Sequence, residues 1–201
     1  MELLIIRHGQ SQADLEDRHE GRADFSLTEL GKHQARLAAA YLYRTYPLEY
    51  VISSPLKRAR ETAEVIAGPL QLAIHTDDRL MERDNGKLAG MLRSEALEKY
   101  PYPPEGRRPH EQIHGGESDI TFRARIEAFF SELCHTPPAH RVGIVAHGGS
   151  INMLFRAFLN LPLDVNIYLA TGDTGIHFWH ISDKYRQILF NNHLAHLNDQ
   201  P

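Results

Sequence analysis

The stretch that decides the fold is Glu2-Leu3-Leu4-Ile5-Ile6-Arg7-His8-Gly9. Residues 2–7 are a short, unbroken apolar run that stops abruptly at polar, catalytically capable residues. A run of this length without alternation reads as a β-strand covered on both faces, hence a central strand of a parallel sheet. It has neither a basic start nor a cleavage site, so it is not a secretory signal.

Working outward, Thr28 is a helix N-cap for a helix from about Glu29 to Tyr46, with Leu30, Leu37, Ala38, Tyr41 and Leu42 as its apolar face and Pro47 as its stop. Tyr50–Ser53 is a second strand. Ser54-Pro55 then opens a helix, with Ser54 as cap and Leu56, Ala59, Ala63 and Ile66 packing inward. Residues 70–75 form a third strand candidate. Residues 77–117, rich in Pro, Gly and Arg, read as a lid-like insertion with a helix at 94–100. Ser118 caps a helix to Cys134, Val142–Ala146 is a strand ending at His147-Gly148-Gly149, and residues 151–160 are helical. Residues 174–181 and 186–191 read as a terminal strand pair. Strands alternating with helices predict an α/β, three-layer α/β/α sandwich with a mostly parallel central sheet and an antiparallel edge, in one domain over residues 1–201.

Three strand ends carry polar groups: Arg7-His8-Gly9, Ser53-Ser54-Pro55 with Arg58, and His147-Gly148-Gly149. In open α/β sheets ligands bind outside the carboxyl ends of the strands. Side chains in a first helical turn lean back toward the N-terminus, so Arg58 would reach the same edge. Helix N-termini and glycine backbone favour an anion there, and arginines give bidentate contacts to phosphate oxygens. A neutral histidine keeps one lone-pair nitrogen and can act as a nucleophile. Each triplet alone is no more than a turn or a cap; their joint placement points to a phosphate pocket.

The same residues resemble the histidine phosphatase superfamily, phosphoglycerate mutase-like in fold. Arg7-His8-Gly9-Gln10-Ser11 is similar to its RHG signature. Gly21 to Gly31, Ser53 to Ala59, Leu80 to Gly86, Gly116-Glu117-Ser118 and Val145 to Gly149 match further segments in order. The resemblance implies that His8 carries a phosphoryl group, that Arg7, Arg58 and His147 hold its oxygens, and that Glu82 is the general acid and then the base. It also implies substrate contacts from Gln10, Ser11, Gly21, Arg22 and Gly148. The family pattern has Asn where Asp14 stands, and a carboxylate there would repel phosphate unless protonated or turned away. After His147-Gly148 the mutases have Asn; here it is Gly149.

The implied activity is hydrolysis of a small phosphate monoester by a histidine acid phosphatase-type enzyme through phosphohistidine. Cofactor-dependent phosphoglycerate mutase-type transfer is the alternative, with Arg107-Arg108 as a possible carboxylate or second-phosphate site. A non-catalytic phospho-ligand binding module is a second alternative. Thirteen histidines raise metal-dependent hydrolysis. Against it, no His-Glu-x-x-His occurs, His177 and His180 fall on opposite faces of a strand, and His193 and His196 read as solvated near the tail. The expectation is therefore no metal and no cofactor. A net charge of −4 argues against a nucleic-acid binder. No stretch is long and apolar enough for a membrane. The single cysteine, Cys134, allows no intrachain disulfide and fits a reducing, cytoplasmic setting. Oligomeric state is left open.

Overall fold

The computed structural model describes residues 1–198. Its elements, in chain order, are β1 (Glu2–Arg7), α1 (Gln12–Leu15), α2 (Glu29–Thr45), β2 (Tyr50–Ser53), α3 (Lys57–Ala67), β3 (Ile74–Thr76), α4 (Arg93–Lys99), α5 (Asp119–His135), β4 (Arg141–Ala146), α6 (Gly148–Phe158), β5 (Ile176–Ile181) and β6 (Arg186–His193). The strands form one sheet in the order β3-β2-β4-β1-β5-β6. The first four are parallel; β5 runs antiparallel to β1, and β6 antiparallel to β5.

The β1 run is buried on both sides, as its composition requires. Leu3 and Ile5 join one hydrophobic cluster with Phe122, Ile126 and Phe129 of α5 and Ile151, Leu154 and Phe158 of α6. Leu4 and Ile6 join another with Ala38 and Leu42 of α2 and Ala59, Ala63 and Ile66 of α3. The sheet is thus the middle layer of a sandwich, with α2 and α3 on one face and α5 and α6 on the other. Each of these fully buried aliphatic side chains is worth roughly 1.5–3 kcal/mol relative to exposure, so β1 is among the best-anchored segments.

Several local expectations need correction. Leu56, not Ser54, is the N-cap of α3, and no side chain caps it; the Ser54 hydroxyl is engaged by His147 and by Leu56 N–H instead. The third strand is only Ile74–Thr76, because Gly68–Leu70 closes a 3₁₀ turn and the four-residue β2 offers little edge to pair with. α6 starts at Gly148, taking both glycines into the helix. Leu30 does not join the apolar face of α2; it is half exposed, and small residues (Gly31, Ala35, Ala38, Ala39) pack inward with Leu42. His193 and His196 are not solvated: His193 stacks on Tyr41 at 4.6 Å and His196 is buried. Thr28 does cap α2, accepting from Gly31 N–H, and Ser118 caps α5 in a capping box with Thr121.

Residues 77–117 hold α4 and two one-turn 3₁₀ helices. They carry a small core of their own in which Leu88, Ala96 and Ile113 are buried against Met91 and Tyr100.

Candidate active site

Sheet order places the site. β4 lies between β1 and β2, and register pairs Arg7 with Ala146 and Ser53 with Val145. The residues that follow these pairs, His8, His147 and Ser54, therefore emerge side by side at the carboxyl edge. His8 and His147 have ring centroids 5.1 Å apart, and Ser54 Oγ is 2.8 Å from His147 Nε2.

His8 is fully buried. Its Nδ1 lies 2.8 Å from the Gly9 carbonyl oxygen. A carbonyl can only accept, so Nδ1 carries the proton and Nε2 keeps the lone pair. Gly9 is fixed in turn, its N–H donating to Thr62 Oγ1 of α3 at 3.1 Å. The loop after β1 also packs on the first turn of α2. Gly31 makes this possible, since a Cβ there would collide with the Gln10 carbonyl oxygen.

Arg58, in the first turn of α3, does reach back to the sheet edge. Its Nη2 donates to the Gly21 carbonyl at 2.8 Å and its Nη1 to the Ala23 carbonyl at 2.9 Å. Its Nε sits 3.3 Å from His8 Nε2 and 3.2 Å from Glu20 Oε1. Arg7 Nη1 donates to the Thr171 carbonyl, and Nη2 lies 3.4 Å from Asp173. Burial pushes the Asp173 carboxyl up, with Arg7 opposing and Asp14 adding to the rise.

His147 is also fully buried, and its basicity falls well below the usual range through burial first, then the charges of the neighbouring arginines, Arg58 before Arg7. It is a neutral imidazole. Ser54 Oγ accepts from Leu56 N–H at 3.3 Å and can donate to His147 Nε2. When it does, the neutral ring carries its proton on Nδ1, which has no hydrogen-bond partner among the described residues. A buried donor without a partner is costly unless a ligand satisfies it.

Glu82 sits where the 77–117 segment meets α6. Its Oε2 accepts from Gly149 N–H at 2.9 Å and its Oε1 from Arg83 N–H at 2.7 Å. Gly149 is the condition for this, because a Cβ there would collide with Glu82 Oε1. Arg125 of α5 holds the backbone beneath, donating to the carbonyls of Arg79, Met81 and Glu82 at 2.6, 2.8 and 3.0 Å. Glu117 grips Arg125 from the other side at 2.6 Å. Burial works against the Glu117 charge, but Arg125 and the Asp84 N–H hold its carboxyl below the usual range.

The remaining candidates divide. Gly21 meets the site through its carbonyl, bonded to Arg58. Ser11 Oγ donates to Glu20 Oε1 at 2.6 Å, and Gln10 Oε1 accepts from Thr28 at 2.8 Å. Arg22 lies 3.6 Å from Asp84 and 3.8 Å from Glu117. Gly148 opens α6. Asp14 is turned into the capping box of α1, accepting from Ser11 N–H at 2.8 Å.

Glu20 was not singled out by sequence reasoning. The available signal was its position directly before Gly21, the first residue of a recognised segment. Ser54, Thr62 and Arg125 were likewise missed in their supporting roles. Beside the site opens a cavity of about 470 Å³, lined by Glu20, Glu82, Arg83, Arg93, Gly149 and Arg156 among others. Arg107 and Arg108 do not line it; Arg107 lies over Tyr102. Among the described residues no cluster of three or more His, Cys, Asp or Glu is arranged to hold a metal ion, and no helix is long and apolar enough to cross a membrane.

Comparison with known proteins places the chain in a family. The model of the histidine phosphatase superfamily (branch 1) matches residues 3–193. Phosphoserine phosphatase 1 of Hydrogenobacter thermophilus is 32% identical, over 99% of this chain and 95% of its own. Glucosyl-3-phosphoglycerate phosphatase of Mycobacterium tuberculosis is 33% identical, over 88% of this chain and 82% of its own. In fold, the crystal structure of the alpha-ribazole phosphatase from Shigella flexneri superposes with a TM-score of 0.87 at 23% identity, covering 96% of this chain and 97% of that one. With its signature histidine, its sheet and its relatives in agreement, the chain belongs to the histidine phosphatase superfamily, as a phosphatase.

Proposed function

We propose that this chain hydrolyses a small phosphate monoester in two steps through a phosphohistidine on His8. The observation that carries this is the Nδ1–Gly9 hydrogen bond, which leaves His8 Nε2 as the lone-pair nitrogen beside the Arg58 guanidinium. In the first step Nε2 attacks phosphorus and the ester P–O bond breaks. Glu82, protonated, gives its proton to the departing alcohol oxygen. In the second step the Glu82 carboxylate takes a proton from water, whose oxygen attacks phosphorus. The N–P bond breaks, and inorganic phosphate leaves. Charge builds on the non-bridging oxygens throughout, and Arg7, Arg58 and the free N–H of neutral His147 are the groups that meet it. Gly9 O stabilises the imidazolium N–H formed when Nε2 is phosphorylated.

The substrate's alcohol half occupies the cavity beside Glu82. Three arginines in its wall favour a small metabolite with an acidic group. The phosphoserine and glucosyl-phosphoglycerate phosphatases among the relatives act on esters of that kind. Residues 77–117 serve as the lid of this one domain. The half-buried single cysteine and the net negative charge fit a cytoplasmic enzyme with neither nucleic acid nor membrane as partner. A panel of phosphate esters, with 4-nitrophenyl phosphate as generic probe, tests the reading: phosphate release by the parent and its loss in His8→Ala are expected. Turnover by His8→Ala equal to the parent would overturn it. With 3-phosphoglycerate and a trace of its bisphosphate, release of phosphate should outrun isomerisation; the reverse would make the chain a mutase.

A further inference from the structure

We propose that Glu20 is a built-in competitor of phosphate, a carboxylate set between the cavity and His8 that holds the phosphoryl pocket until substrate displaces it and that drives product phosphate out. The inference rests on the phosphatase reading above. Its basis is the position of one side chain. Glu20 Oε2 is 3.6 Å from His8 Nε2, the nitrogen that must meet phosphorus, and Oε1 is 3.2 Å from Arg58 Nε. Ser11 Oγ–H donates to the same Oε1 at 2.6 Å. Glu20 lines the cavity, whereas His8 is fully buried and does not. A phosphoryl group that bonds Arg58 Nε and reaches Nε2 must take over contacts that Glu20 now makes.

The surroundings fix the sign of the effect. Facing Glu20 are His8 and Arg7 at the end of β1, Asp14 on α1, Arg58 on α3, Glu82 from the 77–117 segment, His147 before α6 and Asp173 before β5. Burial works against a charged Glu20, but the charge of Arg58 and the hydrogen bond from Ser11 hold its carboxyl below the usual range. At neutral pH it is therefore a full negative charge inside an anion site. A phosphate dianion within about 5 Å of it loses roughly tenfold or more in affinity, even at a water-like dielectric. Such a residue is useful to a hydrolase, whose product is inorganic phosphate at every turnover. It would be a burden to an enzyme that must keep its phosphoryl group.

The test is calorimetric binding of inorganic phosphate to the parent and to Glu20→Gln, with thermal melting to confirm that both are folded. Gln keeps an oxygen for Ser11 and Arg58 and removes only the charge. Glu20→Gln should bind phosphate about tenfold or more tightly at pH 7.5, and steady-state product inhibition should tighten by the same factor. Equal or weaker phosphate binding by folded Glu20→Gln would overturn the inference, making Glu20 only a structural partner of Ser11 and Arg58. If Glu20→Gln melts early, Glu20→Ala is measured under the same criterion. Because binding is read without turnover, such a failure leaves the phosphatase reading standing. That reading falls only if the parent releases no phosphate from any ester.

Discussion

Replacing Arg58 by lysine keeps the charge and discards the fork, and the structure gives the cost. The guanidinium is fully buried and reaches four acceptors: the carbonyls of Gly21 and Ala23, Glu20 Oε1 and His8 Nε2. Lysine offers three donors from a single nitrogen and cannot span that set. Two charge-assisted bonds, one to the buried Gly21 carbonyl and one to the part-buried Ala23 carbonyl, are lost, at about 1.5–3 kcal/mol each. Re-pairing of the ammonium with Glu20 offsets part of this, so a net loss of about 2–4 kcal/mol is expected. Against a total stability of about 5–15 kcal/mol the variant stays folded, and its melting temperature falls by about 4–16 °C. Turnover suffers more than folding, because a positioned donor to the developing phosphoryl charge is worth about 10²–10³ in kcat. Urea unfolding at pH 7.5 and steady-state hydrolysis of 4-nitrophenyl phosphate measure the two effects. A variant within about 0.5 kcal/mol of the parent and within about threefold in turnover would refute the reasoning that the fork itself is what the pocket needs.

Three other perturbations follow from particular contacts. Gly149→Ala forces the Glu82 carboxylate off its Gly149 N–H; kcat should fall by about tenfold or more with little change in urea midpoint, and unchanged kcat would show that this position of Glu82 is not needed. Gly31→Ala drives a methyl group into the Gln10 carbonyl, so the loop bearing His8 must shift; a stability loss of about 1–3 kcal/mol together with reduced turnover is expected, and a fully active, equally stable variant would contradict the packing argument. Burial pushes His177 from 6.5 down to about 4, against a weaker opposing bond from Asn191. Its folded value is depressed, so the neutral form's stability is complete above 6.5 and is lost as pH falls toward 4. Between pH 7 and 4.5 the parent should lose about 2–3 kcal/mol through this residue. His177→Gln should lose correspondingly less, and parallel losses in the two proteins would disprove the assignment.

The sandwich was legible because β1, α3 and α6 carry patterns that only one environment satisfies: an apolar run for a doubly covered strand and inward stripes for the helices. The convergence of His8, Arg58 and His147 was legible for the same reason, since strand ends in a parallel sheet share one edge. What could not be read were features decided by contacts across the chain. Ser54 has the sequence of a helix cap, but His147 claims its hydroxyl. His193 and His196 look like tail residues until Tyr41 of α2 is seen to pack against them. Glu20 is an ordinary polar residue before a glycine until folding brings it to His8 and Arg58. Likewise, Gly149 acquires meaning only from the Glu82 carboxylate laid against it from a segment 67 residues away.

The most direct measurement is a rapid quench of the protein during turnover of a ³²P-labelled phosphate ester, followed by peptide mapping. Label that survives alkali, is released by acid, and maps to the peptide containing His8, with none in His8→Ala, is the expected result. Turnover without any such labelled protein, or label on a residue other than His8, would contradict the mechanism.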